Sequence, residues 1–272
     1  MHAFTALSNH RHYMLSATMP EQIPLFLDYM LGNIARQLNK LRGRSGVFWS
    51  RRTSIVPIVD EAKQIERLAY ILGQGPAAGL VASPLDWPGA SSAQAQVADM
   101  VVPATYGSLD AARRNEQRKD PLPLEEIAED VTFELAPLPV WEHLSPDLLR
   151  AEHLRQVRMI EEAHAGQGVR GAAAVVAEDP EQSWPLKRSR APLCHASTPR
   201  IWKRFSDFFA AFTAHCKEAS SRLCGMASTE WVDVPAQYPR GALARPRWYI
   251  RAPASLARAW LRDIDDADLA VA

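Results

Sequence analysis

Cysteine is scarce in this chain and falls late. Only Cys194, Cys216 and Cys224 occur among the 272 residues, and an odd, sparse set of this kind is not a disulfide framework. A reducing compartment is favoured, so we expect a cytoplasmic protein. Zinc ligation by these cysteines with His195 and His215 fits no common finger spacing. We therefore expect the cysteines to be buried structural residues.

Long apolar runs and a secretory leader are also missing. No stretch approaches the ~20 apolar residues that a membrane helix needs. The first fifteen residues have neither the basic flank nor the apolar core of a signal peptide. We therefore expect no membrane partner. The phosphate-binding loop sequence GxxxxGK does not occur either.

The chain has no net charge, because 31 basic residues balance 31 acidic ones. This excludes a globally basic nucleic-acid binder but not a local basic surface. Residues 29–59 contain no Asp or Glu at all. The same stretch holds six bases, which predicts a surface that faces phosphate groups. The six candidate DNA-binding residues are Arg36, Lys40, Arg42, Arg44, Arg51 and Arg52.

Hydrophobic spacing and capping signals predict four helices. They cover about 21–40, 61–73 with Asp60 as N-cap, 146–165 after Ser145, and 199–225 after Thr198. Residues 3–15 read as one strand, and 47–49 with 53–59 as a pair of strands, with Pro57 placing the second near an edge. Residues 73–92 turn repeatedly.

Weak periodicity and proline mark the connections between the parts of the chain. We expect a domain that carries the chemistry over 1–92, a linker over 93–138, a mostly helical extension over 139–250 and a tail over 251–272. The predicted elements combine strands and helices without a regular alternation, which favours an α+β protein.

Four polar side chains of the first third could form a site. His10 and His12 are two residues apart on the predicted strand, so both side chains point to one face. Two imidazoles on one face suit a divalent metal ion, although two ordinary surface histidines fit the same pattern. Tyr70 and Gln74 are four residues apart and share a helix face. An interfacial tyrosine with a packed ring is the alternative for Tyr70.

These residues stand in an order that resembles a known family. The segment Ser8-Asn9-His10-Arg11-His12 resembles the histidine–hydrophobic–histidine motif of single-tyrosine transposases, above all the REP-associated tyrosine transposases. Further short segments of the same family follow in order over roughly residues 2–92. They are Asn39, residues 45–49 with 51–52, residues 60–61, Tyr70-Ile71, residues 78–81 and residues 86–88.

The resemblance implies a role for each of the four residues. His10 and His12 match the metal-binding histidines, Gln74 matches a third, oxygen-donating ligand, and Tyr70 matches the nucleophile. The implied fold is a ferredoxin-like antiparallel sheet with helices, and the implied cofactor is Mg²⁺ or Mn²⁺. The implied activity is DNA transposition, in which single-stranded or hairpin DNA is cleaved and rejoined through a 5′-phosphotyrosine.

The sequence departs from the family pattern in three places that matter. Gln74-Gly75 stands where the family has Asn-Pro, which keeps the ligand chemistry but loses a rigid turn. Arg11 stands where the family has an apolar residue, and on a strand it would point away from the metal, under the packed helices. The chain also begins at the strand that carries His10, so the family's first strand is missing and the domain is N-terminally truncated by comparison. Unpaired backbone groups beside that strand would make DNA nicking slow or absent until an upstream extension restored it.

Two other functions remain open at this point. One is a non-catalytic DNA-binding remnant of such a transposase, and the other is a helical protein-interaction module. The sequence leaves a homodimer open as well.

Overall fold

The computed structural model describes residues 1–19, 21–49, 53–107, 109–171, 173–174, 177 and 191–225, with the side chains of 109–110, 124–125 and 219–225 left aside. Helices and two small antiparallel sheets make the chain an α+β protein. It divides into two compact units. One unit is Met1–Leu31 with Glu61–Arg190, and the other is Gly32–Asp60 with Ala191–Ala272.

The first unit contains both sheets and most of the helices. Strand β1 spans Ala3–Ala6 and β2 spans Arg11–Met14, whereas β3 spans Val101–Tyr106 and β4 spans Glu129–Glu134. The helices of this unit are α2 Glu61–Leu72, α3 Gln74–Ala77, α4 Ala93–Gln96, α5 Leu109–Glu116, α6 Leu124–Ile127 and α7 Pro146–His164. Two 3-10 turns lie at Pro84–Asp86 and Pro139–Trp141.

The remaining two helices are long. Helix α1 spans Gln22–Leu41 and continues from the first unit into the second, and α8 spans Pro199–Gly225 in the second unit. No helix among the described residues has the length and apolar character to cross a membrane.

The four long helices confirm the predictions made from spacing and caps. The Ser145 Oγ accepts a hydrogen bond from the Leu148 backbone N at 3.4 Å, and the Thr198 Oγ1 accepts one from Ile201 N at 3.2 Å. Each cap satisfies a donor that the first helical turn leaves open. Asp60, the expected cap of α2, accepts a hydrogen bond from the Ser197 backbone N at 2.6 Å.

The predicted single strand over 3–15 is wrong, because this segment folds into a hairpin. β1 and β2 pair antiparallel, with Thr5 opposite His12 and Ala6 opposite Arg11. The Leu7 backbone N donates to the His10 carbonyl at 2.8 Å and closes the turn. Ser8 and Asn9 occupy the turn, and their short polar side chains favour chain reversal over a continuous strand.

Strand β1 has hydrogen-bonded neighbours on both edges, whereas β2, which carries His12, pairs only with β1 among the described strands. The expected unpaired backbone groups beside the histidine strand therefore stay a prediction. On the other edge of β1, Ala6 N donates to the Ala90 carbonyl and Ser92 N donates to the Phe4 carbonyl, both at 2.9 Å. The finer expectation of a ferredoxin-like sheet stays a prediction, because the described strands form two separate pairs.

The sequence predicts a linker over 93–138, and the structure has β3, β4 and three short helices in this segment. β3 and β4 pair antiparallel with Val102 opposite Phe133. Sequence periodicity missed this ribbon because Pro103 interrupts β3 and because more than twenty residues separate the two strands. The packing partner that stabilises each strand is therefore not visible in a local window.

The strand pair predicted over 47–49 and 53–59 is also wrong for the residues that the structure describes. Residues 47–49 and 53–57 have no strand pairing. Ile58 instead forms an isolated bridge with His195, whose backbone N donates to the Pro57 carbonyl at 2.8 Å. β-rich composition needs a partner in register to become a strand. Residues 226–250 of the expected helical extension and the tail over 251–272 lie outside the described residues.

Candidate active site

The hairpin places the two histidines of the candidate site side by side. His12 lies within β2, and His10 directly precedes that strand. Their ring centroids are 5.2 Å apart in an edge-to-face arrangement. Alternation of side chains along an extended chain accounts for this shared face.

Helix α2 packs against this hairpin and delivers the tyrosine. The Tyr70 and His12 rings are 5.3 Å apart, again edge to face. Tyr70 is 48% exposed, so its ring rests on the histidine while solvent still reaches the side chain. An exposed tyrosine beside two histidines that could bind a metal ion is an arrangement that suits a nucleophile.

Gln74 reaches the same place after a break in the helix. α2 ends at Leu72, and Gln74 begins α3 after Gly73. The Gln74 Nε2 donates to the Tyr70 carbonyl at 2.9 Å, and its Oε1 lies 3.0 Å from the His10 Nε2. The expected continuous helix face is therefore interrupted, but the spacing of one turn between Tyr70 and Gln74 is kept.

The electrostatics keep His12 neutral at ordinary pH. Burial lowers the pKa of His12, the neighbouring His10 lowers it further, and a hydrogen bond with Gln74 opposes both effects. A neutral imidazole has a free lone pair, which is the form that binds metal ions.

A basic side chain covers one face of the tyrosine. The Arg67 guanidinium carbon lies 4.8 Å from the centroid of the Tyr70 ring. Arg67 and Lys63 both form ion pairs with Glu66. The hydrogen bond from Lys63 is the largest cause of the lowered pKa of Glu66, and Arg67 contributes in the same direction.

The donor set of His10, His12 and Gln74 fits a small divalent ion. An octahedral ion with bonds of about 2.1 Å places neighbouring ligands about 3.0 Å apart, which matches the distance between His10 Nε2 and Gln74 Oε1. Among the described residues there is no group of three or more His, Cys, Asp or Glu side chains that could hold a metal. A site here therefore depends on the amide oxygen as its third donor.

Arg11 occupies an environment different from the one expected. Helix α2 packs on the His12 side of the hairpin, so Arg11 does not lie beneath it. Arg11 is half-buried and its side chain hydrogen bonds with Tyr13. Burial raises the pKa of the Tyr13 hydroxyl, while the charge of Arg11 lowers it. The guanidinium therefore has a polar neighbour on its own face of the strand.

The candidate DNA-binding residues belong to the second unit and are considered there alone. Arg36, Lys40, Arg42 and Arg44 are exposed, whereas Arg51 and Arg52 lie outside the described residues. Arg36 is tied to its own helix by a 2.8 Å hydrogen bond from Nη2 to the Asn33 Oδ1. The turn after α1 uses Gly43 and Gly46, both with positive φ.

The cysteines fit the expectation of buried structural residues where they are described. Cys194 and Cys216 are buried and form no disulfide. Burial raises the pKa of both thiols, which disfavours the thiolate that metal binding and nucleophilic attack require. The side chain of Cys224 lies outside the described residues.

Asn9 contacts the candidate site, although the sequence analysis gives this residue no functional role. Its Oδ1 lies 2.6 Å from the His10 Nδ1. The one sequence feature that could indicate a role is its position directly before the candidate ligand His10. Asparagine is common in turns, however, so this position alone does not predict a function.

Comparison with known proteins identifies no relative of this chain. No family model, curated protein or solved structure matches the chain. The resemblance to single-tyrosine transposases therefore depends on the motifs of residues 2–92 alone.

Proposed function

We propose that the chain is a single-tyrosine transposase-like protein that binds single-stranded or hairpin DNA and cleaves and rejoins it through Tyr70. The observation that supports this most is the cluster of four side chains brought together from the hairpin and from α2 and α3. His12 contacts Tyr70, and His10 contacts Gln74. The proposal includes a ferredoxin-like arrangement of the catalytic domain.

His10, His12 and Gln74 would hold Mg²⁺ or Mn²⁺. When bound, the ion supplies a Lewis acid that neutralises charge on the phosphoryl oxygens. The two imidazoles and the amide oxygen are neutral donors, so they leave the positive charge of the ion available to a phosphate. Three protein donors also leave open positions for a ligand.

Tyr70 supplies the nucleophile. Its Oη forms a bond to the phosphorus of the scissile phosphate, and the bond from phosphorus to the 3′ oxygen breaks. The products are a 5′-phosphotyrosine and a free 3′-hydroxyl, and attack by a 3′-hydroxyl reverses the step with no net loss of bond energy. Ionising an isolated tyrosine at pH 7 costs about 4 kcal/mol.

The exposed bases of the second unit would hold the DNA backbone. Lys40, Arg42 and Arg44 are exposed in a stretch without acidic residues. Such a surface binds phosphates without reading sequence.

The test is a covalent adduct between the full chain and a hairpin-bearing single strand in the presence of Mn²⁺. We expect a slowly formed adduct that survives denaturing electrophoresis and retains a label placed on the 3′ side of the cleavage point. Tyr70→Phe removes only the hydroxyl and should abolish the adduct, as should chelation of the metal. Tyr106→Phe is the matched control, because Tyr106 is an exposed tyrosine on β3.

Three outcomes would contradict the proposal. An adduct that persists in Tyr70→Phe would place the nucleophile elsewhere. Tight DNA binding with no adduct would favour the non-catalytic DNA-binding remnant. Neither binding nor cleavage would favour the interaction module, for which the exposed apolar side chains of Leu25 and Tyr29 on α1 are the supporting observation.

A further inference from the structure

The His10 ring lies between two side-chain oxygens. Its Nδ1 is 2.6 Å from the Asn9 Oδ1, and its Nε2 is 3.0 Å from the Gln74 Oε1. An amide oxygen only accepts hydrogen bonds, and a neutral imidazole carries a single N–H. A neutral His10 therefore donates to one oxygen and turns a lone pair toward the other.

The orientation of Gln74 is set independently of His10. The Gln74 Nε2 donates to the Tyr70 carbonyl at 2.9 Å, which leaves the Oε1 directed at His10. The contact of His10 with Asn9 is the shorter of the two. If the proton is on Nδ1, the lone pair of Nε2 faces the Gln74 Oε1, and these two electron-rich atoms repel each other. A cation bound by both atoms removes this repulsion.

The geometry points to Asn9 as a positioning residue of the metal site. Its Oδ1 accepts the Nδ1 proton of His10 and so presents the Nε2 lone pair to a divalent ion shared with Gln74. Hydrogen-bond partners of this kind fix the tautomer and ring orientation of metal-bound histidines. This inference rests on the proposed function, because it concerns the ion which that function uses.

We expect the hairpin to stay folded when Asn9 is substituted. Asn9 is exposed, and the turn is closed by the backbone bond from Leu7 N to the His10 carbonyl. Met100 is the one non-glycine residue with positive φ among the described residues, so Asn9 has a backbone conformation that other residues also adopt. Loss of function in a variant at this position is therefore separable from unfolding.

The experiment measures Mn²⁺ binding to the full chain by titration calorimetry without DNA. We expect Asn9→Ala to weaken Mn²⁺ binding about 10- to 100-fold, the range found for partners that orient metal-bound histidines. Asn9→Asp keeps the acceptor oxygen and should restore the affinity. Ser8→Ala is the matched control from the same exposed turn and should bind like the wild type.

A spectroscopic readout separates positioning from a general structural effect. Long-range ¹H–¹⁵N spectra of the metal-free chain should show the Nδ1–H tautomer of His10. Asn9→Ala should shift it to the Nε2–H tautomer, which donates to Gln74. An Nε2–H tautomer in the wild type would overturn the inference.

Metal binding and DNA cleavage are measured in separate experiments. The positioning role of Asn9 and the proposed function can therefore be contradicted independently of each other. If His10→Ala loses Mn²⁺ and Asn9→Ala retains full affinity, Asn9 has no positioning role and the proposed function is untouched. If Asn9→Ala weakens Mn²⁺ binding but the wild type forms no Tyr70 adduct, the proposed function fails and the role of Asn9 stands. A wild-type chain that binds no Mn²⁺ overturns both.

Discussion

Arg67 is the side chain most closely coupled to the candidate nucleophile. Its guanidinium lies over one face of the Tyr70 ring, while His12 meets the ring edge to face. The ion pair with Glu66 restrains the Arg67 guanidinium. A cation held against an aromatic face stabilises negative charge that develops on the phenol oxygen and limits the rotation of the ring.

Removing this cation should slow formation of the DNA adduct without weakening DNA binding. A partly buried cation–π contact is worth about 1–2 kcal/mol, so Arg67→Met should lower the single-turnover rate roughly 10-fold at saturating DNA. Lys63→Met is the control, because it removes the other base paired with Glu66 and leaves the cation over Tyr70 in place. Equal losses in the two variants would indicate a general effect of charge and contradict the specific role of Arg67.

At the level of elements, the site depends on the break between α2 and α3. Gly73 ends α2, and its backbone N donates to the Ala69 carbonyl at 2.8 Å. A Cβ at Gly73 would lie 2.9 Å from the Ala69 carbonyl oxygen and 3.4 Å from a methyl group of Ile160. The break therefore requires a residue without a side chain, and it sets the position from which Gln74 reaches both Tyr70 and His10.

Gly73→Ala should destabilise the first unit and displace Gln74. A backbone clash of this kind costs about 1–3 kcal/mol, measured as a loss in the free energy of urea unfolding together with weaker Mn²⁺ binding. Gly32→Ala in α1 is the matched control, because nothing lies within 4 Å of its added Cβ. That control should gain up to about 1 kcal/mol from better helix propensity. An undisturbed Mn²⁺ affinity in Gly73→Ala would show that the break does not position Gln74.

Local signals were sufficient for the four long helices, but not for the short helices or the sheets. The caps at Ser145 and Thr198 are hydrogen bonds between residues three positions apart, so a short stretch of sequence predicts them. The pairing of Val102 with Phe133 joins residues far apart in sequence, and no local pattern encodes it. The face shared by His10 and His12 followed from alternation alone, whereas the contact of His10 with Gln74 needed the tertiary position of α2.

At the scale of the whole molecule, a buried histidine links stability to pH. His153 on α7 is 1% exposed and packs edge to face on Trp141, with ring centroids 5.2 Å apart. Burial lowers the pKa of His153 to about 4, and this effect outweighs the opposing contributions of a hydrogen bond to the Gln96 backbone and of the Glu152 charge. Leu138, Val157 and other apolar side chains of the first unit are buried as well, so water does not reach the charged form.

The free energy of unfolding should therefore fall as the solution becomes acidic. An unfolded histidine takes up a proton near pH 6.5, whereas folded His153 resists it until about pH 4. The stabilisation is complete above pH 6.5 and is lost progressively as the pH falls toward 4, by about 3 kcal/mol in all. Urea unfolding between pH 7 and pH 4 measures this loss. His2, whose pKa burial also lowers, adds to it in the same direction.

Replacing His153 isolates its share of this acid sensitivity. Glutamine does not titrate, so the unfolding free energy of His153→Gln should vary less between pH 6.5 and 4 than that of the wild type, even if it is lower at pH 7. His143→Gln is the control, because His143 is exposed and adjoins the same part of the first unit. Its pH profile should match the wild type. If His153→Gln retains the full wild-type slope, acid instability arises from other groups and burial of His153 does not drive it.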